Sequence, residues 1–332
     1  MIKHPYLLFL GDAHDQLAAK TADGVAYWRP DWCLGQIRLD GCQADLGLND
    51  LTIEEAVDKG AKTLIIGVAN RGGIIPDTWE TPLIHALELG LDIASGLHTH
   101  LNHLPKIREV ADKYGRILFD VRQCARQLPI GSGEKRPGNR LITVGTDCSI
   151  GKMYTALAIE KEMQKRGWKA TFRATGQTGI FIAGEGISVD AVIADFMSGA
   201  TEIIAPANDV DHWDLIEGQG SLFHPSYAGV TMALIHGSQP DALVLCHEPT
   251  RDHMRGLPNQ PLPDIGTCLY SNVEVARLTN PKATMVGIAI NTKLMSPEDA
   301  NTYLNEMTDK YNLPCVDPVR TGVSAIVDNI KP

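Results

Sequence analysis

The stretch from Leu141 to Met153, LITVGTDCSIGKM, constrains the fold more than any other part of the chain. An apolar run ends in Gly145, a polar turn follows, and Gly151 and Lys152 precede a segment that predicts a helix over Met153–Arg166. A strand, a turn with glycine and a helix in this order form a phosphate-binding loop, in which backbone N–H groups, the positive end of the helix and a lysine surround an anion. The residues expected to bind phosphate are Gly145, Thr146, Asp147, Cys148, Ser149, Ile150, Gly151, Lys152 and Met153.

Two irregularities bear on what this loop does. Five residues separate Gly145 from Gly151, where the usual pattern has four. Met153 follows the lysine at the position where that pattern has Ser or Thr to hold magnesium. The sequence therefore predicts that the loop cradles a phosphate without a bound metal, and it gives weaker support to nucleotide hydrolysis.

Composition narrows the classes of protein. The 332 residues are enough for two domains, and the net charge of −10 argues against nucleic acid or an anionic membrane as the main partner. The chain opens with no basic and apolar leader and contains no apolar run of about 18 residues. Its seven cysteines form no C-x-x-C pair, which is typical of free thiols in a reducing compartment. We expect a cytoplasmic homo-oligomer that acts on a small molecule.

Strand and helix signals alternate along the chain. This alternation predicts parallel sheets covered by helices, the α/β class. The segment Pro129–Arg140, PIGSGEKRPGNR, is rich in glycine, proline and charge and is the best boundary. We place an N-terminal domain at 1–134 and a C-terminal, doubly wound phosphate-loop domain at 135–332.

Several polar turns follow predicted strands of the C-terminal domain. In open α/β sheets the ligand lies beyond the carboxyl ends of the strands, so these turns are expected to converge. They are Gly145–Lys152, Arg173–Gly179, Glu217–Ser226, Asn291–Lys293 and Asp317–Arg320.

Each candidate side chain also has a structural interpretation. Arg173 ends a strand and suits a phosphate or a carboxylate, or else a surface ion pair. Glu217, in Glu-Gly-Gln-Gly, suits a base or an ammonium ligand, or else stabilises a turn. His224 suits a proton carrier or a hydrogen-bonded structural histidine. Asp195 interrupts an apolar stretch, where an unpaired carboxylate is costly to bury, and this favours a role in a site.

Other motifs give weaker signals. Asn70-Arg71-Gly72-Gly73 offers an arginine and open backbone donors, which suit a small carboxylate, or it is a plain turn. The run from His98 to His103 has metal-like spacing but no cysteine or acid to complete a shell, so no metal is expected. A nucleophilic Cys148 would be blocked by the ligand of the loop.

Two resemblances extend this interpretation. The spacing Gly145-Thr146-Asp147 … Gly151-Lys152, with Arg173 before Thr175-Gly176 and with Glu217-Gly218, resembles dethiobiotin synthetase and its relatives. That resemblance implies contacts of Asn291 and Arg320 with an adenine base. It also leaves open an ATP- and magnesium-dependent ligase or kinase, although Met153 replaces the threonine that those enzymes use for magnesium.

A closer resemblance covers nearly the whole chain. Asn70–Gly73, Arg173–Gly179, Asp195 and Ile216–Pro225 are similar to a family long described as of unknown function, which includes D-glutamate N-acetyltransferases. The resemblance implies a Rossmann-like N-terminal domain, a phosphate-loop C-terminal domain, and acetyl-CoA as cosubstrate.

This resemblance gives roles to the candidates. The base that takes the amine proton is expected to be Glu217, Asp195 or His224, in no fixed order. The residues expected to bind the substrate or the oxyanion are Arg71, Gly72, Arg173, Gln177, Thr178 and Ser221.

Overall fold

The computed structural model describes residues 1–70, 72–124 and 127–330, so Arg71 of the predicted substrate site lies outside the described residues. No helix in these ranges is long and apolar enough to cross a bilayer.

The described ranges contain strands of two sheets. They are β1 Tyr6–Gly11, β2 Cys33–Arg38, β3 Thr63–Ile66, β4 Asp92–Ser95, β5 Leu118–Asp120, β6 Asn139–Gly145, β7 Ala170–Arg173, β8 Trp213–Ile216, β9 Ala242–His247, β10 Thr284–Ile290 and β11 Cys315–Val316.

Helices alternate with these strands along the chain. They are α1 Lys20–Trp28, α2 Ile53–Asp58, α3 Glu80–Glu88, α4 Pro105–Tyr114, α5 Lys152–Lys165, α6 Gln177–Ala183, α7 Ala194–Ile204, α8 Ala228–Ser238, α9 Ile265–Arg277, α10 Pro297–Tyr311 and α11 Ser324–Asp328. The predicted α/β class is confirmed.

The chain divides into two compact units, Met1–Ala125 with Gly176–Ala191, and Arg126–Thr175 with Val192–Pro332. The sheet of the first unit has the order β2-β1-β3-β4-β5, and all of its strand pairs are parallel. Its central strands β1 and β3 carry apolar runs that are buried throughout, as expected of strands covered on both faces. Leu7, Phe9, Leu64, Ile66 and Trp79 lie in its core.

The sheet of the second unit has the order β11-β10-β9-β6-β8-β7 and is also parallel throughout. The phosphate-loop strand β6 lies between β8 and β9, so the chain changes direction across the sheet at β6. Such a switch point is where ligands bind in open α/β sheets. Because the strands are parallel, the turns predicted at their carboxyl ends lie on one edge, apart from the part of Arg173–Gly179 that belongs to the first unit.

Two helices begin at caps whose residue types are readable in the sequence. Thr52 begins α2 with a capping box: its hydroxyl accepts the Glu55 N–H at 3.1 Å, and the Glu55 carboxylate accepts the Thr52 N–H at 2.8 Å. Ser296 likewise accepts the Asp299 N–H at 3.1 Å before Pro297 opens α10.

The segment Gly176–Ala191 corrects one expectation. The sequence suggested a glycine-rich turn over Thr175–Gly179, but α6 begins at Gln177. This helix belongs to the first unit, where the Arg29 Nε donates to the Ile182 carbonyl at 3.1 Å and the Ile2 N–H donates to Gly184 at 2.7 Å. Burial of the run Ile180-Phe181-Ile182 outweighs the local glycine signal. A single boundary between residues 134 and 135 does not account for the return of Gly176–Ala191 to the first unit. The domain bounds 1–134 and 135–332 stay a prediction.

Candidate functional site

The turn between β6 and α5 has the backbone geometry of an anion cradle. Ser149 and Gly151 have left-handed φ values of 53° and 108°, and the backbone N–H groups of residues 148–152 donate to no atom of the described chain. The first turn of α5 adds the positive end of a helix dipole. Unpaired donors next to a helix start are suited to an anion, and phosphate binding by Gly145 to Met153 stays a prediction.

Lys152 supplies the charge of this cradle. Its side chain is buried, with 5% of the residue exposed, and its Nζ donates to the Asp147 carbonyl at 2.7 Å. Burial lowers the pKa of this ammonium group. No carboxylate within the described ranges forms an ion pair with it, so its charge is available to an anionic ligand.

Glu217 lies at the end of β8, on the side of the switch point that faces β7. The residue is 4% exposed, and its Oε2 accepts the Thr175 N–H at 2.8 Å. The next N–H, of Gly218, donates to the Thr143 hydroxyl at 3.0 Å, which ties β8 to β6 beside Lys152. A carboxylate is thereby fixed next to the phosphate loop.

His224 is held in one tautomer. Its Nδ1 accepts the Ser226 N–H at 3.1 Å, so its Nε2 carries the proton and donates to the Arg255 carbonyl at 3.1 Å. The ring is buried, and protonation of Nδ1 would break the bond from Ser226. This geometry favours an orienting role. Ser221 nearby is also fully buried, and its Oγ accepts the Phe223 N–H at 3.2 Å.

The loop that follows β9 completes the site, and its residues are not among those predicted from the sequence. Arg251 donates to the Asp147 carboxylate at 2.6 Å, to the Cys148 carbonyl at 2.7 Å and to the Ser149 carbonyl at 3.2 Å. These hydrogen bonds fix residues 147–149 of the phosphate loop. The apolar run Ala242–Cys246 predicts the strand, and the available signal for a functional loop after it was the charged continuation HEPTRDHMR.

His247 is the last residue of β9, and its buried side chain contacts Thr146 of the phosphate loop. Its Nδ1 lies 3.0 Å from the Thr146 hydroxyl. Burial, aided by the charge of Arg251, lowers the pKa of His247 to about 4, so the imidazole is neutral near pH 7. A neutral ring next to the phosphate loop adds no charge of its own.

Asp147, Cys148 and His224 bring three potential metal-ligating atoms within 4.8 Å of one another. One oxygen of Asp147, Oδ1, has no hydrogen-bond partner. Both nitrogens of His224 are engaged, however, and burial raises the pKa of the Cys148 thiol. These donors fit a metal poorly, and within the described chain the histidines from His98 to His103 join no three-ligand group.

The remaining predicted residues of the second unit have no contact with the phosphate loop among the described hydrogen bonds and ion pairs. Arg173 turns back along the sheet, where its Nε donates to Asp214 at 2.7 Å. Asp195 is exposed in the first turn of α7. Arg320 donates to the Thr292 and Met295 carbonyls at 3.2 and 2.8 Å, and half-buried Asn291 accepts the Lys293 N–H at 3.2 Å.

The first unit brings together predicted residues from two distant stretches. The end of β4 contacts both: Gly96 lies against the Gln177 side chain, and Gly73, next to Gly72, lies against His98. The hydroxyls of Thr178 and Thr21 are 3.4 Å apart. Gly72, Gln177 and Thr178 therefore belong to one polar edge within this unit.

Comparison with known proteins agrees with this architecture. Residues 129–327 match a domain described as of unknown function, DUF1611_C, P-loop domain, and residues 37–124 match DUF1611_N, Rossmann-like domain. A crystal structure of a DUF1611 family protein from Anabaena variabilis is 32% identical, with a TM-score of 0.86 over 98% of this chain and 99% of that chain.

Two relatives match along their whole length. One, from Tritonibacter scottomollicae, is 58% identical over 328 residues, which is 99% of this chain and 98% of the relative. The other, from a Pseudoalteromonas species, is 47% identical over 329 residues, 99% of each chain. Both are named D-glutamate N-acetyltransferase.

Proposed function

Since the chain belongs to the DUF1611 family, with a Rossmann-like N-terminal domain and a P-loop C-terminal domain, we propose that it is an N-acetyltransferase that moves an acetyl group from acetyl-CoA to the amine of D-glutamate. The observation that carries this proposal is the identity of 58% and 47% to two full-length relatives of that name. The phosphate loop supports it, because a coenzyme A thioester brings phosphates that need a cradle and do not react.

The reaction requires two kinds of group from the protein. The amine of an amino acid is mostly protonated near pH 7, so a base must take its proton before nitrogen attacks the thioester carbonyl. A donor must also stabilise the oxyanion of the tetrahedral intermediate. The C–N bond then forms, the C–S bond breaks, and the thiolate leaves and takes up a proton.

Glu217 is the base that the geometry favours among the three candidates. Its carboxylate is buried at the switch point and held by the Thr175 N–H, next to the strand that leads into the phosphate loop. The nitrogens of His224 are both engaged by hydrogen bonds. Asp195 is exposed to solvent, and no hydrogen bond or ion pair to a described residue orients it.

Donor binding is assigned to the loop Gly145–Lys152. The free N–H groups of residues 148–152 and the Lys152 ammonium take a phosphate of coenzyme A. Met153 supplies no hydroxyl for magnesium, which is no obstacle when the phosphate is only bound. Asn291 and Arg320 are proposed to contact the adenine, at the ends of β10 and β11.

Acceptor binding is assigned to the six residues that the sequence predicts for it. Arg71, Gly72 and Arg173 are each proposed to bind a carboxylate of the substrate, and the Nη groups of Arg173 donate to no atom of the described chain. Gln177, Thr178 and Ser221 are proposed as oxyanion donors. A variant Arg71→Ala should raise the KM for D-glutamate more than the KM for acetyl-CoA, and the reverse would remove Arg71 from the acceptor site.

The proposal is tested by thiol release from acetyl-CoA with D-glutamate or L-glutamate, each with and without EDTA. We expect release with the D-isomer that EDTA does not reduce. Glu217→Gln should lower kcat by about 100-fold or more, the range of general-base catalysis. The matched control is Glu306→Gln on the exposed face of α10, with unchanged kcat. No thiol release with either isomer, together with magnesium-dependent release of ADP from ATP, would overturn the proposal.

A further inference from the structure

Arg255 is an exposed arginine beside the phosphate loop, and its guanidinium group has no hydrogen bond or ion pair with any described residue. Its charge is nevertheless close enough to Cys148 of the loop to act on that thiol. Other arginines of the second unit are paired: half-buried Arg251 with Asp147, and exposed Arg166 and Arg277 with Asp328 and Glu274.

The backbone of Arg255, in contrast, is fixed on both sides by buried side chains. Its N–H donates to the Asp147 carboxylate at 2.8 Å, and its carbonyl accepts from the His224 Nε2 at 3.1 Å. Asp147 is 0% exposed and His224 1% exposed. Buried polar groups are costly unless they are hydrogen-bonded, so these two are committed to holding one point of the chain.

Arg251 strengthens the same attachment. Its guanidinium group binds the other side of the loop that carries Asp147, and it shares the Asp147 oxygen that the Arg255 N–H contacts. The segment from Arg251 to Arg255 is thus fastened to the phosphate loop at both ends. The Asp147 charge is neutralised by Arg251, which leaves the positive charge of Arg255 uncompensated.

We propose that Arg255 binds a phosphate of the acyl donor other than the one cradled by Lys152 and the loop. A rigid backbone that carries a free, solvent-facing arginine next to a phosphate loop is suited to a second anion on the same ligand. Coenzyme A offers a diphosphate and a 3′-phosphate. Arg255 thereby makes the site select a donor with several phosphates. This inference rests on the proposed acetyltransferase function.

The test measures binding of coenzyme A and of dephospho-coenzyme A to the full chain by calorimetry, for the parent protein, Arg255→Gln and Lys161→Gln. Lys161 is the matched control, since it is exposed on α5 about 13 Å from the loop at 1.5 Å per residue. We expect Arg255→Gln to weaken coenzyme A roughly tenfold, as for loss of a hydrogen bond to a charged group. Lys161→Gln should leave the Kd unchanged, and Arg255→Lys should recover part of the loss.

The two ligands locate the contact. If Arg255→Gln weakens only coenzyme A, Arg255 binds the 3′-phosphate, and if it weakens both ligands equally, Arg255 binds the diphosphate. In turnover, the KM for acetyl-CoA should rise while kcat and the KM for D-glutamate hold. Equal affinity of the parent and Arg255→Gln for coenzyme A would overturn the inference. A parent protein that neither binds coenzyme A nor releases thiol would instead overturn the proposed function.

Discussion

The ammonium group of Lys152 is buried and donates to a backbone carbonyl. The ammonium group of an exposed lysine would instead be hydrated by water or paired with a carboxylate. A buried charge without an opposite charge is unfavourable, and the lowered pKa of Lys152 expresses that cost. Such a cation destabilises the free protein and is stabilised by an anionic ligand. We therefore infer that Lys152 favours the binding of an anion at the expense of stability.

Lys152→Met tests this interpretation. Because methionine keeps the length of the side chain and removes the charge, kcat/KM for acetyl-CoA should fall at least about 100-fold, equivalent to about 3 kcal/mol. The thermal unfolding temperature without ligand should hold or rise. Steady-state kinetics and calorimetric melting measure both. A melting temperature that falls sharply with kcat/KM intact would assign Lys152 to structure.

His247 predicts a pH dependence of stability. Its pKa is about 4 in the folded protein and about 6.5 in the unfolded chain, so the unfolded chain takes up the proton first as the pH falls. The stability linked to His247 is complete above pH 6.5 and is lost as the pH falls through the folded pKa of about 4. A shift of this size corresponds to about 3 kcal/mol.

Urea unfolding at pH 7.5 and pH 4.5 measures this loss, and His247→Asn should reduce the difference between the two pH values. The variant comparison is needed because burial also lowers the pKa of His212. An identical pH dependence in the parent and in His247→Asn would contradict the assignment.

At the scale of elements, the close approach of β8 to β6 shapes the site. A Cβ atom at Gly218 would lie 1.6 Å from the Thr143 carbonyl oxygen and 3.0 Å from the Lys152 Cδ. Glycine is required here by space and not by φ. The approach lets the Gly218 N–H reach the Thr143 hydroxyl, and so it sets Glu217 next to the phosphate loop.

Gly218→Ala should therefore separate the two strands. We expect a loss of about 1–3 kcal/mol in the free energy of unfolding, the usual cost of overpacking, together with a lower kcat. Gly229→Ala is the control, since a Cβ at Gly229 in α8 meets nothing within 4 Å and alanine favours a helix. Denaturant titration of both variants measures the contrast, and equal stability would show that β8 can move without cost.

At the scale of the whole molecule, the chain interleaves its two units. Residues Gly176–Ala191 lie between elements of the second unit but belong to the first. Helix α6 contributes Ile180, Phe181 and Ile182, which are 3%, 0% and 0% exposed. The first unit is therefore incomplete until the chain has passed through the phosphate loop and β7.

A fragment of residues 1–134 should consequently be less stable than the same unit in the full chain. The lost burial of three large side chains, at about 1.5–3 kcal/mol each, is comparable to the net stability of a domain. Circular dichroism during thermal unfolding of the fragment should show a broad transition, which a peptide of residues 176–191 sharpens when added. A fragment that unfolds cooperatively without the peptide would contradict this.

The sequence by itself determined the elements whose signals are local. The phosphate loop, the capped starts of α2 and α10 and the alternation of strands and helices follow from spacing within a few residues, because backbone geometry and caps are decided there. Glu217 also became a candidate through a local signal, because its glycine-rich turn directly follows an apolar run, and its role stays a proposal.

Only the tertiary structure decided which side chains meet. Arg251 and Arg255 reach Asp147 across 104 and 108 residues, and His247 reaches Thr146 across 101. The same folding paired Arg173 with Asp214 and carried α6 into the first unit. Such contacts depend on the order of strands in the sheet, and here β9 lies beside β6 although nearly a hundred residues separate the two strands in the chain. Local sequence patterns do not predict the strand order, because strands far apart in sequence become neighbours only when the whole sheet packs.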